Sequence, residues 1–503
     1  MYYLGIDSST QSIKGLVIDP VAGSVAAQAS VKFGEDLPQF NCPDGVLPNA
    51  DPLVKQSDPL LWVAALDLLF ERLRKTGLDL SQIAAIGGDG QQHGSVYLND
   101  RFIPALAALD PNRTLADQLA PTLARPVAPI WMDSSTSAEC RELDARFGER
   151  LQTDTGSPAI ERFTGPQIRK FAKNEPDRYA ETAHIHLVSS FLCSVLIGAN
   201  APIDSGDGAG MDLLNLKTLE WDPEITAFTA PGLLAKLPKV ANGVAGRLSP
   251  YFAKYGLKAG IPVAVWTGDN PASLIGSGAG IAGCAVISLG TSDTFFAAMD
   301  TFKTDPEKCG HVFGNPAGGF MSLACFKNGS LARDRVRREA GVDWTFFDET
   351  AFALTPPGNN GQWALPWFEA EITPPTQQIG LRANFDFAAA PPEVRIRAAV
   401  EGQCLNIRAH TRWIGQFSTI RVTGGASRSL GIRQTLADLF QARVESISVA
   451  DSAALGGALL AAAADGQALA PLMCVFAPVT DTVEPRPDAQ AAYDGWAEGQ
   501  CGI

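Results

Sequence analysis

The sequence predicts an α/β protein, because short apolar strands alternate with helical patterns along its 503 residues. Segments such as 83–86 and 263–265 are short and apolar, as expected for strands buried in a sheet. A strand at 3–7, a polar turn and a second strand at 13–18 predict a β-hairpin. A similar hairpin is predicted over 286–299.

The two hairpins align without a gap. Ile6 matches Ile287, Thr10 matches Thr291, and Asp19 matches Asp300. An internal repeat of this kind predicts two related α/β halves, with a boundary near Ser277. The match is short, so chance similarity is the alternative.

Helical spacing of apolar residues predicts the remaining framework. The predicted helices are 59–75, 136–147, 330–340, 392–409, 430–441 and 453–464, with a further strand at 420–422.

Composition excludes several classes of function. The formal net charge of −14 comes without a basic segment of the kind that binds nucleic acid. The uncharged stretch 187–203 is predicted as a buried helix running into a turn. The stretch 270–292 is broken by glycine and serine, so no membrane span is expected. Nine cysteines without a C-x-x-C pair, and an N-terminus unlike a signal peptide, predict a cytoplasmic location.

The hairpin tips are candidate phosphate-binding sites. The first tip runs from Asp7 to Gln11 and can aim N–H groups and hydroxyls at an anion, with Asp7 positioned to hold a magnesium ion. The second tip, Gly290, Thr291 and Ser292, would allow a phosphate to approach the backbone closely. Ordinary hairpin turns use the same residues, and that remains the alternative.

Asp269 is the candidate base. Asn270 is predicted to cap a helix and Pro271 to be its first residue, which would place Asp269 just outside a helix N-terminus. That position favours an ionised carboxylate, which can accept a proton from a substrate hydroxyl. The alternative is that Asp269 only completes the turn.

Two glycine-rich loops are weaker candidates. The segment 423–427 follows a predicted strand and could let a flat ligand lie against its backbone, although such turns often use glycine anyway. The segment 90–94 places two amides and His93 between glycines, where they could bind sugar hydroxyls, or His93 could simply bond locally. The arginines at 333, 335, 337 and 338 are predicted to form a solvated helix face.

Taken in order, these segments resemble the FGGY carbohydrate kinases, and most closely the eukaryotic-type D-xylulose kinases among them. The motifs that carry the resemblance are GIDSSTQSIK at 5–14, GQQHGS at 90–95, WMDSST at 131–136, ERFTG at 161–165, TGDNPASL at 267–274, SLGTSDT at 288–294, CFKNGSL at 325–331 and TGGAS at 423–427.

The resemblance implies two ribonuclease-H-like domains, as in actin and hexokinase, with a central cleft. It implies an N-terminal sugar-binding domain at 1–276 and a C-terminal ATP-binding domain at 277–503. Closure of the domains would exclude water and limit ATP hydrolysis.

The resemblance also implies roles for individual residues. Asp269 matches the catalytic base, and Asp7 matches the aspartate near magnesium. Sugar contacts are implied for His93, Arg162, Asp269 and Asn270, with Met132 and Asp133 in the wall of the sugar pocket. Phosphate contacts are expected from Thr10, Gln11, Gly290, Thr291 and Ser292. Contacts with the adenine nucleotide are implied for Trp344, Gly424 and Gly425. Ser9 and Ser429 depart from the pattern of relatives, so no contact is carried over at these two positions.

The implied reaction is ATP- and magnesium-dependent phosphorylation of D-xylulose at its C5 hydroxyl. Two alternatives stay open: a kinase for another ketose or polyol, such as ribulose or glycerol, and an actin-like or chaperone-like ATPase. The expected partner is a small sugar, with no nucleic acid or membrane, and the sequence leaves open a homodimer.

Overall fold

The computed structural model describes residues 1–494. Its strands, in chain order, are β1 Tyr2–Ser8, β2 Ser12–Asp19, β3 Ser24–Lys32, β4 Gln56–Ser57, β5 Ile83–Gly90, β6 Ser95–Leu98, β7 Ala128–Pro129, β8 His184–Leu187, β9 Leu214–Asn215, β10 Glu220–Trp221, β11 Val244–Arg247, β12 Pro262–Ala264, β13 Thr267–Gly268, β14 Cys284–Leu289, β15 Asp293–Met299, β16 His311–Gly314, β17 Phe320–Phe326, β18 Ala364–Trp367, β19 Gly380–Ala383, β20 Thr419–Thr423, β21 Arg443–Ile447 and β22 Val479–Val483.

The α-helices are α1 Phe33–Asp36, α2 Pro59–Lys75, α3 Phe102–Ala107, α4 Leu115–Leu119, α5 Ser137–Phe147, α6 Glu149–Thr155, α7 Thr164–Asn174, α8 Pro176–Glu181, α9 Val188–Ile197, α10 Ser205–Gly208, α11 Pro223–Thr229, α12 Asp269–Gly276, α13 Ser330–Glu339, α14 Ala351–Leu354, α15 Pro392–Thr411, α16 Leu430–Phe440, α17 Ser452–Ala464, α18 Leu469–Phe476 and α19 Ala489–Asp494. None of the helices in the described part of the chain combines the length and apolarity needed to cross a bilayer.

The chain divides into two units. The first unit comprises Met1–Gly278, Val312–Phe320 and Ala450–Phe476, and the second comprises Ala279–His311, Met321–Val449 and the described residues from Ala477 onward. A single boundary after residue 276, as the sequence suggests, therefore omits two later segments that belong to the first unit. Their membership depends on packing between residues far apart in sequence, which local patterns do not record.

The first unit is built on a sheet in which β1 lies between β2 and β5. The strand order is β11-β12-β5-β1-β2-β3, and β13 also pairs with β5. β1 is antiparallel to β2 but parallel to β5. The C-terminal ends of β1, β5 and β13 therefore lie at one edge of the sheet.

The second unit repeats this arrangement. Six of its strands follow the order β17-β15-β14-β20-β21-β22. β14 forms an antiparallel hairpin with β15 and lies parallel to β20, as β1 does with β2 and β5. The duplication predicted from the hairpin sequences is thus present in the strand order.

Helix α2 shows how the core of the first unit is stabilised. The Asp58 carboxylate accepts the N–H of Leu60 and caps the helix, and Pro59 occupies its first position. Leu66, Phe70 and Leu73 recur at helical spacing and are fully buried. Each such side chain contributes about 1.5–3 kcal/mol of hydrophobic free energy.

Glycines let α17 approach both the sheet and α12. A Cβ on Gly5 of β1 would lie 1.9 Å from the carbonyl oxygen of Ala454, and one on Gly456 would lie 1.9 Å from that of Ala272. Only glycine permits these backbone contacts. They fix α12, whose first residue is Asp269, against the rest of the first unit.

Candidate active site

Asp7 lies at the sheet edge where the parallel strands of the first unit end. It pairs in register with Asp89 on β5 and with Lys14 on β2. Burial raises the pKa of the Asp7 carboxyl to about 6, while Asp89 and Lys14 act in the opposite direction. The Lys14 ammonium itself donates to Asp451 at 2.6 Å.

Asp269 is the first residue of α12, not a residue outside the helix. The predicted start at Pro271 is wrong by two positions, because Gly268 takes the extended backbone of the N-cap. One Asp269 carboxylate oxygen accepts the N–H of Asn270 at 2.8 Å. Despite this hydrogen bond, burial and, to a smaller extent, the nearby charge of Asp7 raise the pKa of Asp269 to about 7. The N–H groups at the helix terminus favour the ionised form, as predicted, but desolvation has the larger effect on this pKa.

Two further buried carboxylates, Asp89 and Asp207, lie in the same neighbourhood and were missed by the sequence analysis. Burial, with neighbouring acidic groups, raises the pKa of both well above the usual range. Ser189 donates its hydroxyl to Asp207, whereas neither oxygen of Asp89 has a hydrogen-bond donor. The only signal for Asp89 was its place directly before the GQQHGS motif, and a single aspartate beside glycines carries no distinctive pattern.

His93 is held as a neutral imidazole. Its Nδ1 donates to the carbonyl of Gly210 at 2.8 Å, so Nε2 is left as an acceptor. The ring stacks on Phe163 with centroids 4.2 Å apart. Burial lowers the pKa of His93 to about 3, with a smaller contribution from the charge of Arg162.

The predicted sugar-contacting residues are close together in the first unit. Arg162 is near enough to His93 for its charge to lower the pKa of the imidazole. Its guanidinium carbon lies 5.6 Å from the centre of the Phe163 ring. Asn270 donates through Nδ2 to Gln92 at 2.9 Å, which joins α12 to the loop that carries His93. The structure thus gathers an imidazole, an amide, a guanidinium and the Asp269 carboxylate.

Met132 and Asp133 differ in their availability to a ligand. Met132 is 41% exposed. Asp133 is buried, and its oxygens accept hydrogen bonds from the Lys55 N–H at 2.9 Å and the Gln167 amide at 2.8 Å. Asp133 therefore serves as an internal anchor for this loop.

At the first hairpin tip, Thr10 is partly exposed and Gln11 is exposed. The Thr10 hydroxyl oxygen accepts the indole N–H of Trp131 at 2.8 Å. A Cβ on Gly45 would lie 1.7 Å from the carbonyl oxygen of Thr10. The loop around Gly45 therefore packs directly on the tip and limits its movement.

At the second hairpin tip, Thr291 is exposed, and the carbonyl of Gly290 accepts the Ser330 N–H at 2.8 Å where α13 begins. Asp293, which follows the tip residue Ser292, accepts two hydrogen bonds from the Arg333 guanidinium, of 2.7 and 2.8 Å. Arg333 is only 3% exposed. The prediction of a solvated arginine face is therefore wrong for this residue, because its partner is a buried carboxylate distant in sequence.

The predicted nucleotide residues also lie in the second unit. Gly424 has a φ of 89°, and a Cβ there would lie 2.6 Å from the carbonyl oxygen of Leu289, so only glycine fits. Trp344 is 46% exposed, and its ring stands edge-on to Phe347.

The second unit also contains a cavity of about 330 Å³. Its walls come from the chain after Phe347, from α15 and α16, and from Arg486, and they comprise Asp348, Glu349, Phe352, Ala353, Arg397, Leu430, Gly431, Gln434, Thr435 and Arg486. A cavity of this size falls within the usual range for small-molecule sites.

Family models match both halves of the chain. The N-terminal domain of the FGGY family of carbohydrate kinases matches residues 120–276, and its C-terminal domain matches residues 285–464.

Curated relatives match over most of their length. A xylulose kinase from Rattus norvegicus is 42% identical over 471 residues, covering 90% of this chain and 87% of the relative. Xylulose kinase 2 from Arabidopsis thaliana is 38% identical, covering 92% and 86%.

Solved structures share the fold. A xylulose kinase from Rhodospirillum rubrum superposes with a TM-score of 0.81 at 20% identity, covering 98% of this chain and 96% of the other. A glycerol kinase from Plasmodium falciparum, solved with ADP, gives 0.81 at 16% identity, covering 100% and 97%. The two-domain α/β fold is accordingly the one that sugar kinases share with actin and hexokinase. With both domain models matched and close relatives aligned over nine-tenths of its length, the chain belongs to the FGGY family of carbohydrate kinases.

Proposed function

We propose that this enzyme transfers the γ-phosphoryl group of ATP to the C5 hydroxyl of D-xylulose. The relatives named above are xylulose kinases, which supports the choice of sugar. The observation that carries the chemistry is the buried Asp269 carboxyl, which has a pKa of about 7 and adjoins Asn270, whose amide donates to Gln92 next to His93.

In the proposed reaction, Asp269 accepts the proton of the C5 hydroxyl as its oxygen bonds to the γ-phosphorus. The bond from that phosphorus to the bridging oxygen of ADP breaks, and ADP leaves with the bonding electrons. A base whose pKa lies near the working pH suits this proton transfer, which typically contributes about 10² to 10⁴-fold to the rate.

The sugar subsite that we propose lies wholly in the first unit. The Nε2 of His93 can accept a hydrogen bond from a sugar hydroxyl, and Arg162 can donate to sugar oxygens. The Asn270 amide donates to Gln92 and Asp269, so its carbonyl oxygen is the group that can accept from a sugar hydroxyl. Met132 offers an apolar wall next to them. Asp133 supports this wall through its bonds to Lys55 and Gln167 and does not contact the sugar.

Each hairpin tip offers groups that would bind phosphate oxygens. In the first unit these are the hydroxyl, amide and backbone N–H groups of Thr10 and Gln11. In the second unit they are the backbone N–H groups and hydroxyls of Gly290, Thr291 and Ser292. The adenine base would occupy the 330 Å³ cavity, whose lining residues Asp348 and Leu430 follow Trp344 and the Gly424–Gly425 turn closely in the sequence.

Magnesium fits the donors at Asp7. Oδ1 of Asp7 is buried and has no hydrogen-bond partner in the protein, and carboxylate oxygen is a ligand that magnesium prefers. When bound there, the ion would neutralise charge on the ATP phosphates.

A coupled assay of ADP release tests the proposal. ADP should form rapidly with D-xylulose and slowly without sugar, and the product should carry phosphate on C5 by NMR. D-ribulose and glycerol serve as comparison substrates. A preference for either one, or equal ADP release without sugar, would overturn the assignment.

We propose a cytoplasmic location and a homodimer as the remaining assignments. No disulfide joins the cysteines in the described part of the chain, which supports a reducing compartment. Sedimentation velocity tests the assembly, and a species of one chain mass would refute the homodimer.

A further inference from the structure

Asp89 occupies the centre of the carboxylate neighbourhood in the first unit. Its strand, β5, lies between β1 and β13, and Asp89 is in register with Asp7 on one side and Thr267 on the other. Both pairings are parallel, so the side chains of Asp7 and Asp89 emerge next to each other at one sheet edge. Asp89 is fully buried.

The protein compensates the charge of this buried pair only in part. Both carboxylate oxygens of Asp89 and Oδ1 of Asp7 receive no hydrogen bond from a donor. Asp7, Asp269 and Asp207 are charged neighbours of Asp89, and all three are acidic. Buried carboxylates are normally paired or hydrogen-bonded, because desolvation alone costs several kcal/mol for each ion.

The nearest basic side chain is engaged elsewhere. Lys14 faces Asp7 across the β1–β2 hairpin, yet its ammonium donates to Asp451 at 2.6 Å. The chain therefore places two carboxyl groups together and leaves three of their oxygens, Oδ1 of Asp7 and both oxygens of Asp89, without a hydrogen-bond donor from the protein.

We propose that Asp89 is a second protein carboxylate of the divalent-cation site at Asp7. The inference rests on the proposed kinase function, which requires a magnesium–nucleotide complex. Magnesium is commonly bound by one or two carboxylates, with phosphate and water oxygens completing its coordination. In the described part of the chain, no group of three or more His, Cys, Asp or Glu side chains could hold a metal ion. The two carboxylates therefore need the nucleotide to complete the site.

Direct metal binding tests this role. Mn²⁺ replaces Mg²⁺, and the electron paramagnetic resonance signal of free Mn²⁺ is titrated against the full-length protein with ADP present. The variant is Asp89→Asn, which keeps the size of the side chain and removes its charge. We expect the Kd for Mn²⁺ to rise about 10- to 100-fold, by analogy with the loss of supporting groups at other metal sites.

A matched control is Asp204→Asn. Asp204 is equally buried in the same unit, but its Oδ1 accepts the Asp207 N–H at 2.8 Å as the cap of α10. Asparagine preserves that acceptor, so this variant should bind Mn²⁺ within about twofold of the wild type. Wild-type affinity in the Asp89→Asn protein would overturn the inference.

Thermal melting supplies a second readout that does not depend on activity. Without metal, Asp89→Asn should melt at or above the wild-type temperature, because a neutral amide replaces an unpartnered charge. With Mg²⁺ and ADP, the wild type should gain stability, and the variant should lose most of that gain. A full Mg²⁺-dependent gain in the variant, or a lower melting temperature without metal, would count against the proposal.

Failure of this inference and failure of the proposed function give different results. If wild-type protein phosphorylates D-xylulose while Asp89→Asn binds Mn²⁺ normally, only the role of Asp89 is lost. If the variant loses Mn²⁺ affinity but wild-type protein does not phosphorylate D-xylulose, the cation site stands and the choice of substrate fails.

Discussion

The two hairpins of the repeat share a backbone arrangement but balance their charges in opposite ways. In the second unit, Asp293 at the start of β15 is neutralised by two hydrogen bonds from buried Arg333. In the first unit, Asp7 at the end of β1 lies beside Asp89, and the basic group that acts on Asp7 in the described part of the chain is Lys14, which itself bonds Asp451. The carboxylate at the second tip is thus paired with an arginine. The carboxyls at the first tip keep negative charge that a bound cation or a proton can balance. This contrast supports our proposal that the acid–base chemistry belongs to the first unit.

Removing the base from the first unit should have the largest effect. Asp269→Asn keeps an oxygen that can accept the Asn270 N–H, so the start of α12 is preserved. We expect kcat to fall about 10² to 10⁴-fold with the affinity for D-xylulose nearly unchanged, because only proton transfer is lost. Asp269→Ala should behave similarly. Coupled kinetics and calorimetric sugar titration measure both quantities, and near-normal turnover would remove Asp269 from this role.

Breaking the internal pair of the second unit should affect stability. Arg333→Met leaves Asp293 buried and uncompensated, which should lower the free energy of unfolding by about 3–5 kcal/mol. The double variant Arg333→Met with Asp293→Asn should recover much of this loss. Denaturant unfolding measures the change. Asp89→Asn is the comparison variant in the first unit, because it removes a carboxyl that has no basic partner among the described residues and should not destabilise the protein. If Arg333→Met and Asp89→Asn lowered the free energy of unfolding equally, the two units would not differ in charge compensation.

The pH dependence of kcat/KM should report the raised pKa of Asp269. A carboxyl with a pKa of about 7 is mostly protonated at pH 6 and cannot accept the substrate proton. We therefore expect kcat/KM to rise about tenfold between pH 6 and 8, with a midpoint near 7, and this limb to disappear in Asp269→Asn. His93 cannot produce the limb, because its pKa is about 3. A flat profile across this range would contradict the assignment.

The smallest effects are expected at the hairpin tips. Thr10→Val and Thr291→Val each remove one hydroxyl, so the KM for ATP should rise about 2- to 10-fold, the value of a single hydrogen bond. Thr10→Val also removes the acceptor for the Trp131 indole and should have the larger effect. The serine variants serve as controls that keep the hydroxyl. An unchanged KM in both valine variants would exclude these side chains from phosphate binding.

Local patterns were sufficient for much of the framework. Helix α2 spans Pro59–Lys75, the range that apolar spacing predicts, and α17 begins one residue before its predicted start. Both hairpins form where alternating residues and polar turns place them. These features depend on neighbours within a few positions, so the chain itself encodes them. The boundaries at Asp269 and between the units were less well predicted, because α12 begins after an extended Gly268 and α17 packs on β1 and β5, which lie far from it in the sequence.

The sequence by itself determined the α/β class, the repeated hairpins and the motifs that resemble those of carbohydrate kinases. Only the tertiary structure decided the charge state and partners of the site. Burial in the folded protein raises the pKa of Asp269 to about 7, and strand pairing places Asp89 next to Asp7. Asp133 accepts hydrogen bonds inside the protein, and Arg333 is buried against Asp293. The physical reason is that desolvation and pairing depend on which groups meet across strands and helices, and residues that meet are often far apart along the chain.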